Sequence, residues 1–127
     1  MPESERAIQT AILLDLGRDP RLRLWRMNTG VAFAADGHPV RFGVPGQADI
    51  TGILADGRRL EIEVKSATGR PTKHQENYRR MIESMGGVYI LARSVEDARG
   101  GIDRALPLRD RAQPFRSDAH AGGGGMG

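Results

Sequence analysis

The stretch from Ala48 to Ser66, ADITGILADGRRLEIEVKS, constrains this chain more than any other. Two β-rich runs flank Asp56-Gly57, a dipeptide suited to a tight two-residue turn, so the segment predicts an antiparallel hairpin. On its second strand, Ile62 and Val64 point to one face and Glu61, Glu63 and Lys65 to the other. Alternating charge of this kind ordinarily marks a solvated face of an edge strand. Three neighbouring features argue for a site instead.

The first is Asp49, which enters the preceding strand directly after the glycine-containing loop GVPGQ. Counted outward from the turn, Asp49 and Glu63 fall at the same end of the hairpin. Taken alone, Asp49 reads as a strand-entry or turn residue. Paired with Glu63 it makes a hard-oxygen site of the kind that takes Mg²⁺ or Mn²⁺. The second is Lys65, two residues past Glu63 on the same face. It can hold a water at such an ion or meet charge developing on phosphorus; its bland reading is a surface lysine paired with Glu61 or Glu63. Only two of the 19 basic residues are lysine, Lys65 and Lys73, and both lie near this strand. The third is the following helix, which opens TKHQENYRR. Its first turn carries Lys73, His74 and Gln75, its N–H groups can meet a phosphate, and Arg79 and Arg80 extend the basic surface.

The rest of the chain supplies a frame. Apolar residues from Ser4 to Leu16 recur at helical spacing, with Ser4 as cap and Gly17 and Pro20 as stop. LRLWRM is a short strand. Val31–Ala34 and Val40–Phe42 are strand candidates around the turn ADGHP. A helix runs from about Lys73 to Met85 with Tyr78, Met81, Ile82 and Met85 on one face, and Gly86-Gly87 stops it. VYILA reads as a strand buried on both faces. Ser94 caps a last helix. The order predicts an α/β fold with a mixed sheet, in which the Lys73 helix crosses back to set VYILA beside the hairpin. The domain is expected over residues 1–106, with 107–127, ending SDAHAGGGGMG, a flexible tail.

Composition narrows the class. The chain has 127 residues and no cysteine, so disulfides and thiolate metal sites are excluded. The opening residues show no apolar signal segment, and no apolar run nears the roughly 20 residues of a membrane helix, so a soluble cytoplasmic protein is expected. A net charge of +3 permits nucleic-acid binding without requiring it.

Asp49 followed by Glu63-Val64-Lys65 across a hairpin resembles the D…(D/E)-x-K signature of the restriction-endonuclease-like superfamily. GQAD before a strand, EIEVKS, and then KHQENYRRMIESMGGVYILARS resemble the virus-type replication-repair nuclease (VRR-NUC) family. That family has a glutamine on the helix after the E-x-K strand, a glycine at that helix's end and an apolar strand next. Gln75, Gly86-Gly87 and Val88–Ala92 match in order and spacing. WRMNTG, which contains Asn28, looks like the family's polar stretch before the hairpin. Ala48-Asp49 stands where the family usually has Pro-Asp.

The resemblance covers roughly residues 3 to 98 and implies a restriction-endonuclease-like sheet flanked by helices. It implies that Asp49 and Glu63 bind Mg²⁺ or Mn²⁺, with the Val64 carbonyl as a further ligand, and that Lys65 positions the attacking water. Gln75 would orient Lys65 or touch the scissile phosphate, and Glu5 would serve a second metal or its water. Asn28, Lys73, His74 and Arg79 would face nucleic acid. Glu61 has no role in the resemblance; a pairing with Arg59 or Arg79 is open. The implied activity is metal-dependent endonuclease cleavage of DNA, branched DNA included, by a homodimer, in a bacterial cell or phage-infected host. The alternative is a nucleic-acid-binding module of the same fold without catalysis.

Overall fold

The computed structural model describes residues 3–28 and 30–106; the expected tail, 107–127, lies outside them. Helix α1, Glu5–Leu16, starts where the Ser4 side chain accepts the Ala7 N–H at 3.1 Å. Then come β1 (Leu22–Arg26), β2 (Gly30–Phe33), β3 (Pro39–Phe42), β4 (Ile50–Leu54), β5 (Arg59–Val64), α2 (Lys73–Ser84), β6 (Val88–Ala92) and α3 (Val95–Ala105).

Four strands form one sheet in the order β1-β4-β5-β6. β1 and β5 both run antiparallel to β4, and β6 runs parallel to β5. The mixed α/β sheet expected from the element order is therefore present. The β4–β5 hairpin turns at Gly57, whose φ of +95° suits the Asp-Gly turn. The charged strand β5 is central rather than at an edge, which removes the solvated-edge reading of its alternation.

The sheet's two faces are built differently. On one, Leu60, Ile62 and Val64 of β5 pack with Ile50 and Leu54 of β4 under α1 (Ile8, Ile12, Leu16) and α3 (Ala98, Ile102). Each such fully buried aliphatic side chain is worth roughly 1.5–3 kcal/mol, so this layer carries most of the apolar stabilisation. The other face has only a small apolar cluster of Ala48, Tyr78, Ile82 and Tyr89 beneath α2. Over β1 and β4 that face is open, and Trp25 and Ile53 are exposed.

One expectation needs correction. Tyr78 and Ile82 do face the sheet, but Met81 and Met85 do not; Met85 is the C-cap residue and 81% exposed. The apolar patch that α2 covers is too small to seat four large side chains. VYILA is an edge strand, yet it buries both faces as expected: Ile90 and Ala92 join the larger apolar layer and Tyr89 the smaller, with Val88 and Leu91 half-buried. β2 and β3 pair with each other alone, as a ribbon exposed along its whole length.

Candidate active site

The pairing Ile50↔Ile62 sets Asp49 across from Glu63 one step further along the hairpin. Asp49 bridges the two strands: its Oδ2 accepts the Val64 N–H at 2.9 Å, while its backbone carbonyl accepts the Met27 N–H at 2.8 Å. The loop before it is pinned from the far side. Gly46, at φ +79°, lies so close to the first turn of α2 that a Cβ there would stand 2.1 Å from the His74 carbonyl oxygen. Only glycine fits both that conformation and that approach.

Both carboxylates of β5 and the lysine just past its end are inside the protein: Glu61 is 0%, Glu63 2% and Lys65 9% exposed. The Lys65 ammonium lies 3.6 Å from Glu63 Oε2. The same oxygen accepts the Gln75 amide, Nε2, at 2.9 Å. Glu63 Oε1 is buried with no hydrogen-bond partner. Burial, then the adjacent Asp49 charge, push the Glu63 carboxyl up to about 8, against the pull of Lys65. Asp49 is also raised, chiefly by burial, with the Val64 N–H opposing.

Gln75 uses both ends of its amide. Thr72 caps α2 by accepting the Gln75 N–H at 3.2 Å, and Gln75 Oε1 accepts the Thr72 N–H at 2.9 Å. This capping box leaves Nε2 aimed at Glu63. Gln75 therefore contacts the Glu63 carboxylate, where orientation of Lys65 or a phosphate contact was expected.

Glu5, from the first turn of α1, reaches the loop after β5, where its Oε2 accepts the Ser66 N–H at 3.2 Å. Its charge is felt at both Asp49 and Glu63. Arg93 holds the same loop from the other side, donating to the Ser66 and Gly69 carbonyls at 2.5 and 2.7 Å. Lys65 thus leaves β5 into a segment held by Glu5 of α1 and by Arg93, which follows β6.

Asp49, Glu63, Lys65 and Gln75 converge, and Glu5 stands beside them. Val64 joins through its N–H. Lys73 and His74 are exposed at the start of α2, and Asn28 is exposed after β1. Arg79 lies over the Tyr89 ring, 5.1 Å from its centre, and pairs with Glu83. Glu61 pairs with Arg59 at 2.8 Å, settling the choice between Arg59 and Arg79. It also accepts hydrogen bonds from Thr51 and, at 2.8 Å, from the Tyr78 hydroxyl. Tyr78 reads in the sequence as apolar helix face; its polar end is visible only once α2 is laid on β5.

Compared with known proteins, the chain matches no family model and no curated protein.

The donor set fits a hard divalent cation. Two carboxylates meet at a buried point where Glu63 Oε1 has no hydrogen-bond partner and burial disfavours the charged forms. Among the described residues, no three His, Cys, Asp or Glu side chains gather where together they could hold a metal ion. The acidic contribution is the Asp49–Glu63 pair with Glu5 to one side, an arrangement that would leave room for water and substrate oxygens in the coordination sphere.

Proposed function

We propose that this protein is a metal-dependent DNA endonuclease of the restriction-endonuclease-like, virus-type replication-repair kind. The observation that carries the reading is the convergence of Asp49, Glu63 and Lys65 at one buried point, with Glu63 Oε1 unsatisfied. A purely structural ion pair would bond its oxygens fully, as Glu61 does on the same strand.

Asp49 and Glu63 would hold Mg²⁺ or Mn²⁺. Such an ion, when bound, lowers the pKa of water and draws charge from a phosphoryl oxygen. Val64 steadies Asp49 through its N–H, and Gln75 fixes the Glu63 carboxylate in orientation. Lys65 donates a hydrogen bond to the water that attacks phosphorus in line, and its positive charge meets the charge gathering on the phosphate. Glu5, which accepts the Ser66 N–H, would serve a second ion or its water at the margin of the site. Lys73, His74, Arg79 and Asn28 would contact the nucleic-acid strand around the scissile bond, supplying charge and hydrogen bonds without sequence readout. A second copy of the chain is the proposed partner, because two symmetric sites can cut both strands of a branched substrate.

The test is nicking of supercoiled plasmid and of linear and branched DNAs, with Mg²⁺, with Mn²⁺ and with chelator. Wild-type protein should cut only with the ion, and Lys65→Ala should fold but not cut. Cutting that persists in Lys65→Ala would remove the mechanism. Binding without cutting under any divalent ion would leave a non-catalytic nucleic-acid module.

A further inference from the structure

Glu61 is fully buried on the same strand face as Glu63, yet nothing in the proposed chemistry uses it. A buried carboxylate contributes little net stability, and apolar residues of similar volume usually do as well. Its partners point to a different role. Glu61 Oε1 accepts the Tyr78 hydroxyl at 2.8 Å, and its other oxygen is held by Thr51 from β4 and by Arg59 at 2.8 Å. Two residues along β5, Glu63 accepts the Gln75 amide at 2.9 Å. Gln75 and Tyr78 are three apart on α2, so they share one face of the helix. Glu61 and Glu63 are two apart on β5, so they share one face of the strand. The two hydrogen bonds are therefore parallel struts between one helix and one strand.

Beside these struts, α2 is met by the Gly46 loop at its first turn and by the Tyr89 ring under Arg79. Its buried apolar side chains are Tyr78 and Ile82, and a small greasy contact tolerates sliding that hydrogen bonds between named atoms do not. We infer that Glu61 and Tyr78 are positioning residues: their bond sets the register of α2 on β5 and so delivers Gln75 to the Glu63 carboxylate. Thr51 and Arg59 in turn hold Glu61 in the rotamer that meets Tyr78. This rests on the nuclease reading only for its consequence at the metal; the register itself can be measured without one.

The experiment uses the full chain and the variants Tyr78→Phe, Gln75→Ala and their combination. Tyr78→Phe keeps the ring in the apolar cluster and removes only the hydroxyl. In metal-free protein, the side-chain amide resonances of Gln75 are followed by NMR. Tyr78→Phe should move them toward those of a free glutamine and speed their hydrogen exchange; unchanged resonances would overturn the inference. With Mn²⁺, calorimetric titration should show about tenfold weaker binding for Tyr78→Phe and for Gln75→Ala. The double variant should be no weaker than Gln75→Ala alone. Effects that multiply would mean that Tyr78 acts apart from Gln75 and would also overturn it. If wild-type protein binds no Mn²⁺ while the Gln75 resonances still respond to Tyr78→Phe, the nuclease reading falls and the register assignment stands.

Discussion

Glu61 and Glu63 sit two residues apart on one face of β5, both buried, and differ in one respect. Both oxygens of Glu61 are bonded, whereas Oε1 of Glu63 has no partner. The fold satisfies one carboxylate and leaves one oxygen of its neighbour without a hydrogen bond. The two should answer oppositely to neutralisation.

Glu63 has its carboxyl raised from 4.5 to about 8 in the folded protein. Below pH 4.5 it is protonated in both states and favours folding. As pH rises from 4.5 toward 8, the unfolded chain ionises first and that stability is lost. Glu63→Gln cannot ionise, so in chelator at pH 8 it should be more stable than wild type by on the order of a few kcal/mol and unfold at a higher temperature. Glu61→Gln should unfold at a lower temperature, because it loses its charge to Arg59 and misplaces an acceptor for Tyr78 or Thr51. Thermal unfolding of the two variants at pH 5 and pH 8 checks the pair. A Glu63→Gln variant less stable than wild type at pH 8 would mean that this carboxylate is not short of a counter-charge.

The same shift sets how metal affinity depends on pH. A divalent ion needs the carboxylates ionised, so binding to the folded protein releases a proton wherever Glu63 is still protonated. Mn²⁺ affinity should rise about tenfold per pH unit from pH 6 to near 8 and flatten above it. Calorimetry in buffers of different ionisation enthalpy would show the released proton directly. A flat profile across that range would mean that the ion, if it binds, does not meet Glu63.

Much of this arrangement was legible in the chain itself, and the part that was not has a common cause. Asp56-Gly57 fixed the hairpin turn, and the turn fixed the register that brings Asp49 to Glu63, because strand geometry allows few alternatives. Ser4, Thr72 and Ser94 each marked a helix start that the structure keeps. The helix period put Tyr78 on the sheet-facing side but could not say which strand residue it or Gln75 would meet. The lengthwise setting of α2 on the sheet is a tertiary fact, and with it went the roles of Tyr78 and Thr51 and the exposure of Met81 and Met85. Gly46 looked like an ordinary loop glycine, since nothing local shows that the His74 backbone will press against it.

That contact makes Gly46 a sharp probe of the site. Alanine there meets a carbonyl oxygen at 2.1 Å and must also hold a φ of +79°. The loop cannot keep its place, and Asp49, three residues on, moves with it. Gly46→Ala should cost about 1–3 kcal/mol in strain and weaken Mn²⁺ binding out of proportion to that loss. Gly37→Ala makes the comparison, since Gly37 has φ +89° but open space around it. It should cost a similar strain while leaving metal affinity unchanged. Equal effects of the two on Mn²⁺ binding would separate the loop's packing on α2 from the site.

The β2–β3 ribbon bears on the proposed dimer. By its register, Val31 and Phe33 share one face with Arg41 and Pro39, while Ala32, Val40 and Phe42 share the other. Both faces are thus largely apolar, and both are exposed, with Phe33 at 73%. A two-stranded ribbon is marginal in water unless something covers it, and an exposed apolar patch of this kind ordinarily marks a contact surface. Its few charges, Asp36 and Arg41 with His38 bonded to Asp36, make a poor match to a phosphate backbone. A second copy of the chain suits it better, since the apolar ribbon and the exposed Trp25 offer surface that a symmetric partner can cover. Sedimentation should therefore show a dimer for wild-type protein and a folded monomer for Phe33→Asp combined with Phe42→Asp. The monomer should keep its Mn²⁺ affinity, because neither residue touches Asp49 or Glu63, and should nick single strands of plasmid while losing paired cuts on branched DNA. A wild-type monomer at micromolar concentration would remove the dimer and leave each chain to cut alone.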